Sequence, residues 1–178
     1  MIPYVIDSVY GKTRPNLVSF TIWTILELIG IAAQIQAGAS WSLVLIIVAT
    51  VNTSIGVILA LIGYGYKGYS SLDVICFIGA ILAIILWRAT NQPVLAIGLV
   101  IVADFLGLVP TIKKTYRDPD SENRLAWLLI SIAAILSIFV TTKFDLANLL
   151  YPGYMVVADT TIFMLTFFGN RKNVIHQV

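Results

Sequence analysis

Six nearly continuous apolar stretches constrain this 178-residue chain more than any other feature of its sequence. A bilayer core of about 30 Å requires roughly 20 helical residues for each crossing. The stretches are about Leu17–Gln36, Trp41–Gly63, Leu72–Trp87, Pro93–Ile112, Leu125–Thr142 and Leu146–Phe168. A membrane β-barrel would need alternating polar and apolar residues with hairpin-spaced turns, whereas these stretches are continuous. We therefore predict an all-α membrane protein with six transmembrane helices.

Composition excludes most other classes of protein. Hydrophobic residues make up 59% of the chain and charged residues 11%, against roughly 25% charged in soluble domains. The chain has a single cysteine, Cys76, which excludes a disulfide scaffold. It also has a single histidine, His176, and one residue of each type is too few for a His–Cys metal site. The net charge of +2, from cations scattered among loops, argues against nucleic acid as a partner. No phosphate loop or nucleophile motif appears, so we expect neither an enzyme nor a cofactor.

The cationic residues divide unevenly between the two ends of the predicted bundle. Nine of eleven fall at one end and two, Arg88 and Lys143, at the other. The nine are Lys12, Arg14, Lys67, Lys113, Lys114, Arg117, Arg124, Arg171 and Lys172. The positive-inside rule then predicts a multi-pass protein of the cell membrane with both termini in the cytoplasm. Tryptophans are expected as interface anchors, Trp23 and Trp127 on the inner side and Trp41 and Trp87 on the outer side.

Two halves of the chain show the same order of features when one is shifted by 107 positions: a proline, a cationic loop, a helix, a short outer loop and a helix with an amide or carboxylate at mid-span. The shift lays Pro3 on Pro110, Asn16 on Asn123, Phe20 on Trp127, Asn52 on Asp159 and Thr53 on Thr160. Both copies have the same orientation, which indicates a parallel repeat, and the stretch between them supplies the necessary inversion. We predict a first repeat over residues 1–64, a linker helix over 65–91, a second repeat over 92–170 and a cytoplasmic tail over 171–178.

The first repeat is shorter than the second by one helix. Three spans belong to the second repeat, whereas the first has two, preceded by residues 2–6, which look like the cytoplasmic end of a third. Two explanations are open. Either the true start lies upstream, or a neighbouring subunit of a homo-oligomer fills the gap.

Two proline loops resemble those of the SWEET and PQ-loop transporters. The stretch Val109–Arg117, followed by Ser121 and Glu122, resembles the family's second loop. The first loop is resembled by Ile2–Val5 through Gly11–Asn16, and Thr111 and Tyr4 stand where the family has glutamine. The resemblance implies two triple-helix bundles, a linker helix and alternating-access transport of a sugar. It places Asn52 and Asp159 on a central substrate pocket. Trp23 and Trp127 are the candidates for the family's stacking tryptophan.

Four polar residues lie near the middle of apolar stretches: Glu27, Asn52, Asp104 and Asp159. A carboxylate at the bilayer centre costs of order 3 kcal/mol, and no Lys or Arg lies at comparable depth to pair with these. A water-filled cavity, a bound cation or substrate, or protonation would accommodate them. For Asn52 and Asp159, whose positions are equivalent in the two repeats, the family resemblance implies substrate binding. The alternative is that they only hold helices together by interhelical hydrogen bonds.

The remaining candidates concern coupling and movement. Glu27 and Asp104 are candidates for proton coupling. Alternatively, Glu27 reaches a water-filled crevice or a neighbour's hydroxyl such as that of Thr24 or Ser54. Asp104 either faces the pocket or bonds across to the linker helix. Pro3 and Pro110 are candidate hinges, since proline in a helix frees a carbonyl and bends the axis. A static kink is the alternative.

The sequence thus predicts a membrane transporter of a small solute, with protons as an optional partner and the lipid bilayer as its environment. The alternative is a non-transporting assembly or receptor-like membrane subunit whose buried polar residues only lock helices. A channel is disfavoured because the polar residues are isolated rather than arranged in a stripe along one helix.

Overall fold

The computed structural model describes residues 2–36, 42–90, 92–139 and 146–168, and within these ranges every regular element is helical. The helices are α1 (Ile2–Val9), α2 (Leu17–Gln36), α3 (Ser42–Leu59), α4 (Ser71–Ala89), α5 (Pro93–Arg117), α6 (Arg124–Phe139) and α7 (Leu146–Phe168). A π-helical turn over Ala60–Tyr64 extends α3, and a 3-10 turn over Pro119–Ser121 precedes α6. The all-α prediction is confirmed over these ranges. The bounds of α2 and α7 agree with the predicted stretches, whereas α5 continues past Ile112 to Arg117.

Four of the described helices are long and apolar enough to cross a membrane. Their spanning segments are Ile46–Tyr64, Ser71–Ala89, Val94–Arg117 and Asn148–Phe168, with mean hydropathies of 2.2, 2.2, 2.3 and 1.2. Leu17–Ala32 and Arg124–Phe139 are apolar but shorter, so six crossings stay a prediction. Large apolar side chains such as Ile75 and Val157 are more than half exposed, which suits a surface facing lipid. The chain is a membrane-embedded helical protein.

Small residues allow α4 to pack closely on the rest of the bundle. Its buried side chains recur every three or four residues, at Asp73, Cys76, Ala80 and Ala83. Ala80 and Ala83 join Ile22 of α2 and Ala103 of α5 in one apolar cluster. Without a hydrophobic driving force in lipid, such small-residue seams are the usual basis of helix association.

The helices fall into two groups with the same internal arrangement. In one group α3 packs against both α1 and α2, and in the other α7 packs against both α5 and α6. Between the groups α2 packs on α5 and α1 packs on α6, while α4 packs on α5 and α2. In each group, therefore, the third helix lies between the other two.

Three loops meet at one end of the bundle, which we call the loop end and define as residues 10–16, 65–70 and 118–123. The backbone N–H of Arg14 donates to the Ser121 carbonyl at 2.9 Å. That of Tyr66 donates to the Pro15 carbonyl at 3.0 Å. Seven of the nine cationic residues predicted at one end of the bundle lie in these loops or at the helix ends beside them. The other two, Arg171 and Lys172, lie outside the described residues. Lys143, Trp41 and His176 also lie outside them.

Candidate functional site

A cavity of about 530 Å³ lies among the helices. On α5 its wall includes Ala96, Val100, Asp104 and Leu108, which recur every four residues and so lie on one face. This face is about 18 Å long at 1.5 Å per residue. The cavity therefore extends from Ala96 and Trp87, near the end opposite the loops, to Tyr4 and Trp127 near the loop end.

All four polar residues that the sequence singled out line this one cavity. Asn52 comes from α3, Asp159 from α7, Glu27 from α2 and Asp104 from α5. The two groups of helices thus each contribute one residue of the predicted substrate-binding pair and one of the two coupling candidates. The candidate hinges lie elsewhere: Pro110 is buried in the interior of α5, and Pro3 lies in the first turn of α1.

Among the residues that the structure describes, the predicted substrate-binding pair makes no hydrogen bond that would lock helices together. The amide of Asn52 donates to the Val48 carbonyl of its own helix at 2.6 Å. Asp159 is 4% exposed, and its Oδ2 atom has no hydrogen-bond partner among the residues that the structure describes. A buried carboxylate oxygen without a donor is costly. It marks a position that a ligand, a proton or water would complete.

The two coupling candidates have a hydroxyl partner each, on a neighbouring helix. Thr53 of α3 donates to Glu27 Oε2 at 2.6 Å, and Tyr154 of α7 donates to Asp104 Oδ2, also at 2.6 Å. Glu27 therefore does reach a neighbour's hydroxyl, although it belongs to Thr53, whereas the expected bond from Asp104 to the linker helix is wrong. Thr24 donates to a carbonyl of its own helix, and the helix reached by Asp104 is α7 rather than the linker helix α4. Both carboxylates do bond between helices while lining the cavity.

Aromatic side chains form the part of the wall nearest the loop end. The rings of Trp23 and Trp127 meet edge to face with centroids 6.2 Å apart, and Phe20 contacts Trp23 in the same way at 5.4 Å. Trp127 is 5% exposed, so its prediction as an interface anchor is wrong. Its alternative assignment, a ring beside the candidate pocket, agrees with its place on the cavity wall.

A buried polar cluster lies next to the cavity at the loop end. We call Tyr4, Lys114 and Glu122 the loop-end cluster. The side chains of Lys114 and Glu122 form a fully buried ion pair, and Lys114 also donates to the Arg14 carbonyl at 2.5 Å. Glu122 further accepts from Trp127 Nε1 at 2.8 Å and from the Tyr4 hydroxyl at 3.4 Å. The cluster therefore joins both groups of helices directly below the aromatic wall.

Sequence reasoning missed part of this site. The sequence marks Lys114 only as one of the loop cations and gives Glu122 no role, because no local pattern separates either residue from its neighbours. Tyr151 was also missed, although a signal existed: Tyr151, Met155 and Asp159 are spaced by four residues and share one helix face on the cavity.

The cavity carries an unbalanced set of charged groups. Three carboxylates line it, and the described lining residues include no Lys, Arg or His. Lys114 at the loop end is buried, but its side chain is paired with Glu122. Comparisons with models of protein families, with curated proteins and with solved structures found no match to this chain. The function must therefore be argued from the cavity itself.

Proposed function

We propose that this protein is a SWEET- or PQ-loop-like membrane transporter that moves a small solute by alternating access around the cavity. One observation carries the proposal: Asn52 and Asp159, which the 107-residue shift makes equivalent, line the same cavity from different groups of helices. A pocket between two bundles is where a rocking transporter holds its solute. The resemblance suggests a sugar, which an amide and a carboxylate can bind through several hydrogen bonds.

The proposal of two parallel repeats has support in the packing. Under the 107-residue shift α1, α2 and α3 correspond to α5, α6 and α7. The contact of α2 with α5 is therefore the counterpart of the contact of α6 with α1, and both contacts are present. Such a pair of contacts is what a pseudo-two-fold axis produces. Local bonds repeat as well: Ser8 donates to the Tyr4 carbonyl, and its equivalent Thr115 donates to the Thr111 carbonyl.

Further support comes from the loop end. Arg14 and Ser121, which the same shift makes equivalent, bond to each other through their backbones at 2.9 Å. Two equivalent positions can meet only near the axis that relates them. Together with the loop-end cluster, this contact keeps the loop end closed, while the cavity extends towards Trp87 and Ala96. We propose that the loop end is cytoplasmic, because most of the cations lie there.

Proton coupling through Glu27 or Asp104 is a secondary part of the proposal. Each carboxyl group lines the cavity and has one hydroxyl donor, from Thr53 or Tyr154. A carboxyl group in this position can take up a proton from the cavity and release it to the other side after the bundles move. This arrangement supports coupling but does not require it.

Uptake into proteoliposomes tests the proposal. We expect the protein to accumulate a labelled small solute from a panel of sugars and amines, measured with and without a pH gradient. The double variant Asn52→Ala, Asp159→Ala should lower the initial rate at least about tenfold, equivalent to roughly 1.4 kcal/mol. The matched control is Val51→Ala, Val157→Ala, which alters side chains on the same two helices that are 54% and 67% exposed. Equal uptake by the double variant and the control would show that the pocket is assigned wrongly.

A further inference from the structure

The charge of the cavity wall narrows the class of solute. Glu27, Asp104 and Asp159 line the cavity, and the described lining residues supply no cation to oppose them. Thr53 and Tyr154 each satisfy one oxygen of Glu27 and Asp104. Asp159 is 4% exposed, and its Oδ2 atom has no partner among the described residues. The incomplete group in the cavity is therefore an acceptor that can carry negative charge.

A neutral sugar would leave this imbalance in place. Its hydroxyls can donate to Asp159, but they carry no charge to offset three carboxyl groups gathered away from bulk water. A cation would offset it, since opposite charges attract strongly where the local dielectric constant is low. The charge balance therefore favours a positively charged solute over an uncharged one.

The remaining wall indicates what kind of cation fits. Most lining side chains are apolar or aromatic, among them Leu26, Val100, Met155, Trp23 and Trp127. Metal ions such as Ca²⁺ take six to eight oxygen ligands, which so apolar a wall is poorly suited to provide. An organic ammonium is better matched, because its alkyl part packs on apolar side chains and its charge is attracted by aromatic ring faces.

We propose that the solute is a small organic cation, an ammonium group on an apolar body, whose charge is bound by Asp159 and whose body packs against the aromatic wall of Trp23 and Trp127. This inference rests on the proposed function, because it names the solute class of the same cavity. It makes Asp159 the main determinant of charge selectivity. Asn52 then orients a polar substituent of the same solute.

Paired probes that differ only in charge test the inference. Choline and its uncharged carbon isostere 3,3-dimethylbutan-1-ol have nearly the same shape, and tetramethylammonium and neopentane form a second pair. Binding to the full-length protein in detergent is measured by calorimetry for the choline pair and by ligand-induced thermal stabilisation for both. We expect the cation of each pair to bind at least about tenfold more tightly, a difference of roughly 1.4 kcal/mol.

Variants then locate the effect. Asp159→Asn keeps the shape of the side chain and removes its charge, so the preference for the cation should fall to about twofold or less. The control is Asp120→Asn at the loop end, where the carboxylate is 71% exposed, and it should keep the preference. If Asp159→Asn fails to fold, the comparison of charged and uncharged probes on the unaltered protein still decides.

The outcomes separate this inference from the proposed function. Equal binding of both members of each pair, with sugar uptake that Asn52→Ala, Asp159→Ala abolishes, would overturn the cation and retain the transporter. A cation preference that Asp159→Asn leaves intact would also overturn the inference. Cation binding without any uptake into proteoliposomes would retain the cation site and remove the transporter.

Discussion

Two carboxyl groups on the same cavity wall have opposite surroundings. Glu27 accepts a hydrogen bond from Thr53 across the α2–α3 contact at 2.6 Å. Asp159 has a buried oxygen that meets no donor in the described parts of the chain. A residue that only locks helices should resemble Glu27, because such a residue acts through a hydrogen bond to a neighbouring helix. Asp159 differs, because its buried Oδ2 atom is left without a donor among the described residues and so could accept a hydrogen bond from a ligand.

This difference predicts opposite effects on stability. Asp159→Asn replaces a buried carboxyl group, one oxygen of which has no donor among the described residues, with a neutral amide. It should raise the free energy of unfolding by about 1 kcal/mol while it abolishes uptake. Thr53→Val removes a satisfied interhelical bond and should lower that free energy by about 0.6 kcal/mol. Both values can be measured by reversible unfolding in mixed micelles. An Asp159→Asn variant that is less stable and transports normally would support the helix-locking alternative.

Among the helices, α5 takes part in the cavity wall, in the packing between the groups and in the loop-end cluster. It lines the cavity, packs on α2, α4 and α7, and ends in the buried ion pair of Lys114. At Gly107 a Cβ atom would lie 3.0 Å from Ile22 Cγ2, so the glycine allows α5 to approach α2 closely. Three residues later, Pro110 leaves the carbonyl of Leu106 without its usual helical donor. The close contact with α2 and the missing helical hydrogen bond thus lie within one turn of α5.

Replacement of Pro110 tests whether the weak point is a hinge. Pro110→Ala restores a helical hydrogen bond and should raise the free energy of unfolding by up to about 3 kcal/mol. If α5 bends during transport, the same variant should lower the rate of uptake several-fold. Pro93→Ala, in the first turn where proline interrupts no bond, is the control. Higher stability with an unchanged uptake rate would mean that Pro110 is a static kink.

At the scale of the whole molecule, the loop end joins the two groups of helices. The Arg14–Ser121 backbone bond and the loop-end cluster both cross from one group to the other. Alternating access requires these contacts to open when the cavity faces the loop side. The closed loop end would then be one state of the transport cycle rather than a permanent seal.

A reversible cross-link tests this movement. Two residues that share a backbone hydrogen bond have Cα atoms near the roughly 4.4–6.8 Å that a disulfide spans. Arg14→Cys with Ser121→Cys should therefore oxidise readily and stop uptake, and a reductant should restore it. Each single-cysteine variant serves as a control, and the native Cys76 is buried on α4. Full cross-linking with undiminished uptake would rule out opening at the loop end.

Local features of the sequence were sufficient for the helices and for the cavity's main polar residues. Apolar stretches of spanning length leave the backbone no way to satisfy its polar groups in lipid except as helices, so α2 and α7 could be predicted to the residue. Glu27, Asn52, Asp104 and Asp159 stood out because polar groups at mid-span are costly wherever they point.

Only the tertiary structure decided which of these groups meet and which residues complete them. The pairing of Tyr154 with Asp104, the burial of Lys114 with Glu122 and the place of Trp127 on the cavity wall all depend on how distant helices pack. Local composition carries no information on those distances, because a lysine in a cationic loop looks the same whether it ends in water or against a carboxylate. The sequence by itself determined the helices and their costly polar residues, and packing determined the cavity that brings those residues together.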